Sequence, residues 1–196
     1  MARFNSLFDI DNETKILDIG GTTFNWQWVK GCPEIDLLNL VDQSQSPTYG
    51  KPILFLVGDG LNLKCDDNAY DIVYSNSVIE HLGTYENQEV LAKEIKRIGN
   101  GLFVQTPAYE FFLEPHYWTP FIHWLPVSVQ KKLLRNFTVW GLVTRSPESW
   151  IDKILSEIRL LNKKEFHDLF ADCTIIEEKF LFFTKSYIAY RPITKI

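Results

Sequence analysis

The segment Lys15-Ile16-Leu17-Asp18-Ile19, followed at once by Gly20-Gly21, constrains this chain more than any other. An apolar run that ends in an acid and then glycine reads as a buried parallel strand turning into a helix. Strands covered on both faces are apolar throughout, and the turn out of them favours residues without a Cβ. Parallel strands need crossover connections, so the rest of the chain should alternate strands with helices. A second apolar run, Asp36 to Val41, ends near Asp42, and a third, Ile53 to Val57, is closed by Gly58-Asp59-Gly60. Asp71 to Tyr74 is a fourth strand and Leu102 to Gln105 a fifth, ended by Thr106-Pro107. Between Tyr85 and Ile98 the residues Val90, Leu91, Ile95 and Ile98 recur at helical spacing, and Gly99-Asn100-Gly101 is expected to stop that helix. Leu161 to Phe170 reads as a further helix, followed by two β-rich runs, Thr174 to Phe183 and Ser186 to Tyr190. The pattern predicts a mostly parallel sheet closed by a terminal hairpin.

Length and composition bound the rest. A chain of 196 residues with 45% hydrophobic and 23% charged residues suits one globular domain over 1–196. A net charge of −5 offers no general attraction for phosphate backbones, so nucleic acid is not an expected partner. Cys32, Cys65 and Cys173 form neither a disulfide framework nor a metal-ligand spacing, which points to a reducing, cytoplasmic setting. Asp9, Asp11 and Glu13 interrupt the N-terminal region early, so no signal peptide is expected, and no segment reaches membrane-spanning length. Aromatic residues make up 14% of the chain and crowd between Tyr109 and Trp124, marking an insertion at about 107–150 between the fifth strand and the last helix.

In open α/β sheets ligands bind at the carboxyl ends of the strands. Four polar clusters fall there: Asp18-Ile19-Gly20-Gly21, Asp42, Gly58-Asp59-Gly60 and Ser75-Asn76-Ser77. Glycine lets a ligand approach the backbone, and an acid about 20 residues further on can accept from a ribose diol, which is the spacing of Asp42 from Gly20. Thr22 and Phe24 stand where the later glycines of a GxGxxG loop would be. That disfavours a dinucleotide, and with it nicotinamide-dependent redox chemistry, because a pyrophosphate demands close approach to a helix N-terminus. A cationic ligand without phosphate suits the three acids better.

Ile16-Leu17-Asp18-Ile19-Gly20-Gly21-Thr22, then Gly58-Asp59-Gly60, then Asp71 to Leu82 together resemble the ordered motifs of class I S-adenosylmethionine-dependent methyltransferases. The likeness is to the bacterial type-11 methyltransferase group, whose members also carry segments similar to Val104-Gln105-Thr106-Pro107 and Glu114-Pro115-His116. The resemblance implies a Rossmann-like α/β fold: a seven-stranded sheet of order 3-2-1-4-5-7-6, strand 7 antiparallel, with helices on both faces. It implies S-adenosyl-L-methionine as cofactor. Asp18 with Gly20, Gly21 and Thr22 would surround the methionine portion, Asp42 or the nearby Asn39 would hold the ribose, Asp59 would accept from the adenine amino group with Gly60 leaving room for the ring, and Ser75, Asn76 and Ser77 would line the floor near the sulfonium. Thr22 replaces the commoner second glycine of the first loop.

Methyl transfer from a sulfonium needs alignment and exclusion of water, and a hydroxyl acceptor also gains from a general base. His116, His81 and Glu114 are the expected catalytic residues, with His116 favoured as base over Glu80 and His123. No metal is expected. Some similar methyltransferases bind one through Glu-x-x-Glu-His, but Ser77 stands at the first Glu here. The expected function is methylation, at oxygen, of a small-molecule or glycan/lipid-precursor acceptor; the alternative is a non-catalytic cofactor-binding or protein-interaction module. Phe121 to Pro126, followed by Lys131, Lys132 and Arg135, allows a peripheral membrane contact.

Overall fold

The computed structural model describes residues 1–193. Helix α1 (Ala2–Leu7) precedes β1 (Lys15–Ile19), α2 (Thr23–Trp26), β2 (Glu34–Asn39), β3 (Ile53–Val57), β4 (Tyr70–Asn76), a 3-10 turn (Ile79–Leu82), α3 (Tyr85–Ile98) and β5 (Gly99–Pro107). Two short strands, β6 (Leu113–Glu114) and β7 (Thr119–Pro120), and a second 3-10 turn (Ile122–Trp124) follow. Then come α4 (Val127–Phe137), α5 (Val139–Thr144), α6 (Glu148–Glu157), α7 (Lys163–Leu169) and the hairpin β8 (Thr174–Phe180) and β9 (Phe183–Arg191). The large sheet has order β3-β2-β1-β4-β5-β9-β8. Strands β1 to β5 run parallel, while β9 is antiparallel to both β5 and β8. Since β6 and β7 form a separate ribbon, this is the Rossmann-like order expected from the sequence.

Side-chain alternation along the strands decides which helix covers which face. Leu17, Ile19, Val73, Leu102 and Val104 pack with Leu91, Ala92, Ile95 and Ile98 of α3 and with Phe166 and Leu169 of α7. Ile16, Ile35, Leu37, Ile72, Tyr74 and Phe103 point the other way, onto Phe4 and Phe8 near the N-terminus and Trp26 of α2. The insertion carries a small core of its own, Tyr117, Ile122, Leu134 and Ile151. It reaches through α6, beyond the expected boundary near 150.

Three boundaries differ from the sequence reading. Strand β2 ends at Asn39, because its ladder to β1 runs only from Lys15↔Glu34 to Ile19↔Leu38, and beyond it Leu40 and Val41 are exposed. Gly99 and Gly101 lie inside β5, drawn into the ladder by Tyr70↔Gly99 and Ile72↔Gly101, so α3 ends by becoming a strand and not by a glycine cap. The closing hairpin turns at Leu181-Phe182 in place of Thr184-Lys185, with Phe180 opposite Phe183 and Leu181 left-handed. The last helix begins at a capping box, with Asn162 accepting from the Glu165 amide and Glu165 accepting from the Asn162 amide. Among the described residues no helix is long and apolar enough to cross a membrane.

Candidate functional site

A cavity of about 270 Å³ opens at the carboxyl ends of β1, β2 and β3, lined among others by Gly20, Asn39, Gly58, Asp59, Gly60 and Val78. Its floor and walls are apolar, from Ile19, Leu38, Leu61, Leu82 and Leu91. Glycine is required here by space. Gly20 has φ +72°, and a Cβ on it would lie 2.7 Å from Val78 Cγ2; one on Gly60 would lie 3.0 Å from Ile19 Cγ2. Asp59 turns its loop, with Oδ1 accepting from the Leu61 amide at 2.9 Å. Asn39 donates from Nδ2 to the Gly21 carbonyl at 3.1 Å, tying the end of β2 to the first glycine loop.

Asp18 shares the face of β1 that packs on Trp26, and it is buried. Its Oδ2 accepts from the Trp26 indole N–H at 2.7 Å, while Oδ1 has no hydrogen-bond partner. Burial pushes its pKa up to about 7, only partly opposed by the Trp26 hydrogen bond. Gly21 lies directly over this carboxyl, leaving no room there for a Cβ. On β4, Ser75 is buried and Asn76 presents a buried, unpartnered Oδ1. Ser77 takes the left-handed conformation, φ +57°, and turns the chain into the 3-10 segment that carries Glu80 and His81.

A second polar cluster hangs from that segment. His116 Nδ1 lies 2.6 Å from Glu114 Oε1, and His116 Nε2 faces His81 Nε2 at 3.3 Å. Glu114 is buried on the short β6 strand, and its other oxygen accepts from the Tyr117 amide at 2.8 Å. Glu80 is fully buried. Its Oε2 accepts from Thr106 Oγ1 at 2.9 Å, while Oε1 makes no hydrogen bond of good geometry. Burial raises the Glu80 pKa to about 7, against the pull of its own amide, Thr106, His116 and Ser77. Burial also lowers His81, helped by the charge of His116. Burial opposes protonation of His116 as well, but there the Glu114 hydrogen bond and the charges of Glu114 and Glu80 prevail, and its pKa rises. Glu114 also borders another cavity, of about 290 Å³, with Tyr117, His123 and Arg159 on its wall.

A methyltransferase-domain family model matches residues 34–104, the span from β2 through most of β5. Among solved structures, the chain is similar to a S-adenosylmethionine-dependent methyltransferase of Methanosarcina mazei, with 15% identity over 99% of both chains and a TM-score of 0.58. It is also similar to the magnesium protoporphyrin IX methyltransferase of Synechocystis, solved with S-adenosylhomocysteine bound, at 12% identity over 91% of this chain and 74% of that one, TM-score 0.54. The family model covers about a third of the chain, and the structural likeness shows the Rossmann-like fold of S-adenosylmethionine-dependent methyltransferases. No curated protein matches it in sequence.

The residues fit S-adenosylmethionine, the cofactor of class I methyltransferases. A cradle built on glycines, apolar walls for a flat ring, and buried unpartnered oxygens on Asp18 and Asn76 suit a cationic nucleoside. Of the residues expected to hold it, Gly20, Asp59 and Gly60 line the cavity. Asp18, Gly21 and Thr22 sit beside it at the end of β1, and Ser75, Asn76 and Ser77 at the end of β4. Asp42 does not line it. Its carboxylate folds back on Ser44, accepting from the amide at 2.8 Å and the hydroxyl at 3.0 Å, and Asn39 holds the strand-end position instead. Sequence reasoning did not find Val78 and Leu82 as lining residues, since an apolar side chain gives no chemical signal before the turn at Ser77 is known.

Proposed function

We propose that this methyltransferase acts on a hydroxyl oxygen of a small-molecule or glycan/lipid-precursor acceptor, with Glu114, His116 and His81 as the acceptor-activating centre. The observation that carries the reading is the run Glu114 to His116 to His81, joined by contacts of 2.6 and 3.3 Å and suspended from the segment that also gives Val78 to the cofactor cavity. When bound, S-adenosylmethionine supplies a methyl carbon on a sulfonium. Asp18 with Gly20, Gly21 and Thr22 would hold its methionine portion, Asn39 its ribose, and Asp59 with Gly60 its adenine. Ser75, Asn76 and Ser77 form the floor below the sulfonium.

The acceptor oxygen forms the new C–O bond as the C–S bond breaks. An acceptor hydroxyl would give up its proton at the His81–His116 edge as it takes the methyl group, and the cofactor would leave as the neutral thioether. Alignment supplies most of the rate and the polar cluster the remainder. The cavity beside Glu114, with buried unpartnered polar atoms on Tyr117 and His123, suits an acceptor bearing hydroxyl groups. The three free cysteines support a cytoplasmic setting.

Transfer of labelled methyl from S-adenosylmethionine into fractionated cell extract tests the reading. Product bearing an O-methyl group is expected, with turnover lowered in His116→Ala and cofactor affinity unchanged. Tight cofactor binding without labelled product in any fraction would leave a cofactor-binding module in place of an enzyme of this acceptor class.

A further inference from the structure

We propose that Glu80, His81 and His116 form a binding site for a divalent first-row transition-metal ion, with Glu114 orienting His116 and an open position directed to the acceptor. The inference rests on the reading of this cluster as the acceptor-activating centre. The three side chains bring one ligand atom each within 4.8 Å of one another. Around a metal with bonds of about 2.1 Å, ligand atoms in tetrahedral arrangement are about 3.4 Å apart. The two imidazole nitrogens already stand at 3.3 Å. The carboxylate ligand atom lies within 4.8 Å of both and has to close in.

Three independent features of the cluster call for a cation. Glu80 is fully buried and one of its oxygens is without a good hydrogen bond, an expensive arrangement for a carboxyl group unless a positive partner is supplied. His81 and His116 point their Nε2 atoms at each other, so at most one proton can be shared between two lone pairs, whereas a metal ion accepts both. His116 Nδ1 is held at 2.6 Å by Glu114, which fixes the ring and makes its other nitrogen a better donor. This is the carboxylate–histidine arrangement found behind metal ligands. Glu114 is in turn fixed by the Tyr117 amide.

Two imidazoles and one carboxylate select zinc, cobalt, iron or manganese over magnesium, which prefers oxygen ligands throughout. Three protein ligands leave a position open, as in catalytic sites and unlike the closed four-ligand structural ones. An acceptor hydroxyl taking that position would lose its proton to solvent more readily, because the cation stabilises the alkoxide. In that state both ring nitrogens are ligands, so the cation takes over the activation that a free imidazole would otherwise provide.

The test is a titration of the full, untagged chain, first stripped with chelator, with Co²⁺ followed by visible absorption and with Zn²⁺ by calorimetry. About one equivalent per chain is expected, with the absorption of a nitrogen- and oxygen-ligated Co²⁺ ion. His81→Ala, His116→Ala and the isosteric Glu80→Gln should each weaken binding at least tenfold, with circular dichroism confirming that each variant is folded. His167→Ala, on the exposed side of α7, should bind as the parent does. Absence of stoichiometric binding, or binding indifferent to both cluster histidines, overturns the proposal. Methyl transfer that persists in chelator yet still requires His116 also overturns the metal site while leaving the acceptor-activating centre standing. Cation binding that follows the three variants, in a protein that methylates no hydroxyl, supports the site and removes the function proposed above.

Discussion

The Trp26 indole N–H donates to Asp18 Oδ2 at 2.7 Å, directly beneath the first glycine loop, and among the described residues this is the one hydrogen bond on that buried carboxyl. Asp18 is held up to about pH 7 by burial, far above the 3.8 of an unfolded aspartate, and Tyr74 is the titratable group facing it from β4. The folded chain therefore keeps a proton that the unfolded chain has released. The stability Asp18 contributes is full below about 3.8 and is lost as the pH rises through 7. Thermal melts of the cofactor-free protein between about pH 5 and 8 should fall more steeply than those of Asp18→Asn, the difference between the two isolating this group. Parallel curves would remove the assignment.

The same carboxyl couples the cofactor to protons. A cationic ligand beside Asp18 favours the ionised form, so affinity for S-adenosylmethionine should rise with pH through about 7, with a proton released on binding at the lower end of the range. Calorimetry in two buffers of different ionisation enthalpy reads that proton directly. Equal heats in both would show that Asp18 does not sense the ligand.

Asn39 lines the cavity and Asp42 does not, so the proposed ribose contact falls to Asn39. Asn39→Ala and Asp59→Ala should each raise the dissociation constant for S-adenosylhomocysteine about tenfold, a loss of about 1.4 kcal/mol, whereas Asp42→Ala should change it by less than about twofold. The reverse order, measured by calorimetry, would return the ribose to Asp42.

Gly20 combines a left-handed φ with a Val78 methyl 2.7 Å from where a Cβ would stand. Gly20→Ala should cost about 1–3 kcal/mol of stability by denaturant unfolding and abolish the thermal shift given by cofactor. An alanine variant that melts and binds like the parent would show that the loop has slack the structure does not suggest.

Thr138 caps α5, its Oγ1 accepting from the Gly141 amide at 2.9 Å while donating to the Leu134 carbonyl at 2.6 Å. Thr138→Ala should destabilise the chain by about 1 kcal/mol with no effect on cofactor affinity. A change in that affinity would mean that the insertion reaches the cofactor cavity.

The sheet was legible because each of its parallel strands writes a short apolar run closed by turn residues, as at Lys15 to Ile19 and Ile53 to Val57. Strand ends were less so. Asp36 to Val41 stays apolar past the point where the ladder stops, and periodicity cannot tell Leu40 in a strand from Leu40 on the surface of a cavity. The glycines at 99 and 101 read as a stop because nothing local announces that β4 and β9 will pair with them. In the site, Asp59 and Gly60 carried their own signal, and Glu80-His81 was readable as a polar pair, but its partner was not. Thirty-four residues of chain separate Glu80 from Glu114, and only the fold brings the Glu114–His116 pair back to the turn that holds it.

The left-handed Ser77 starts a run of five residues in which Val78 touches the cofactor cavity while Glu80 and His81 belong to the polar cluster. The cavity and the proposed acceptor centre thus share one short turn, with Val78 and Glu80 two peptide units apart. With the acceptor at the proposed centre, this turn would couple the two sites, and by thermodynamic reciprocity whatever the cofactor does to the acceptor's affinity, the acceptor does to the cofactor's.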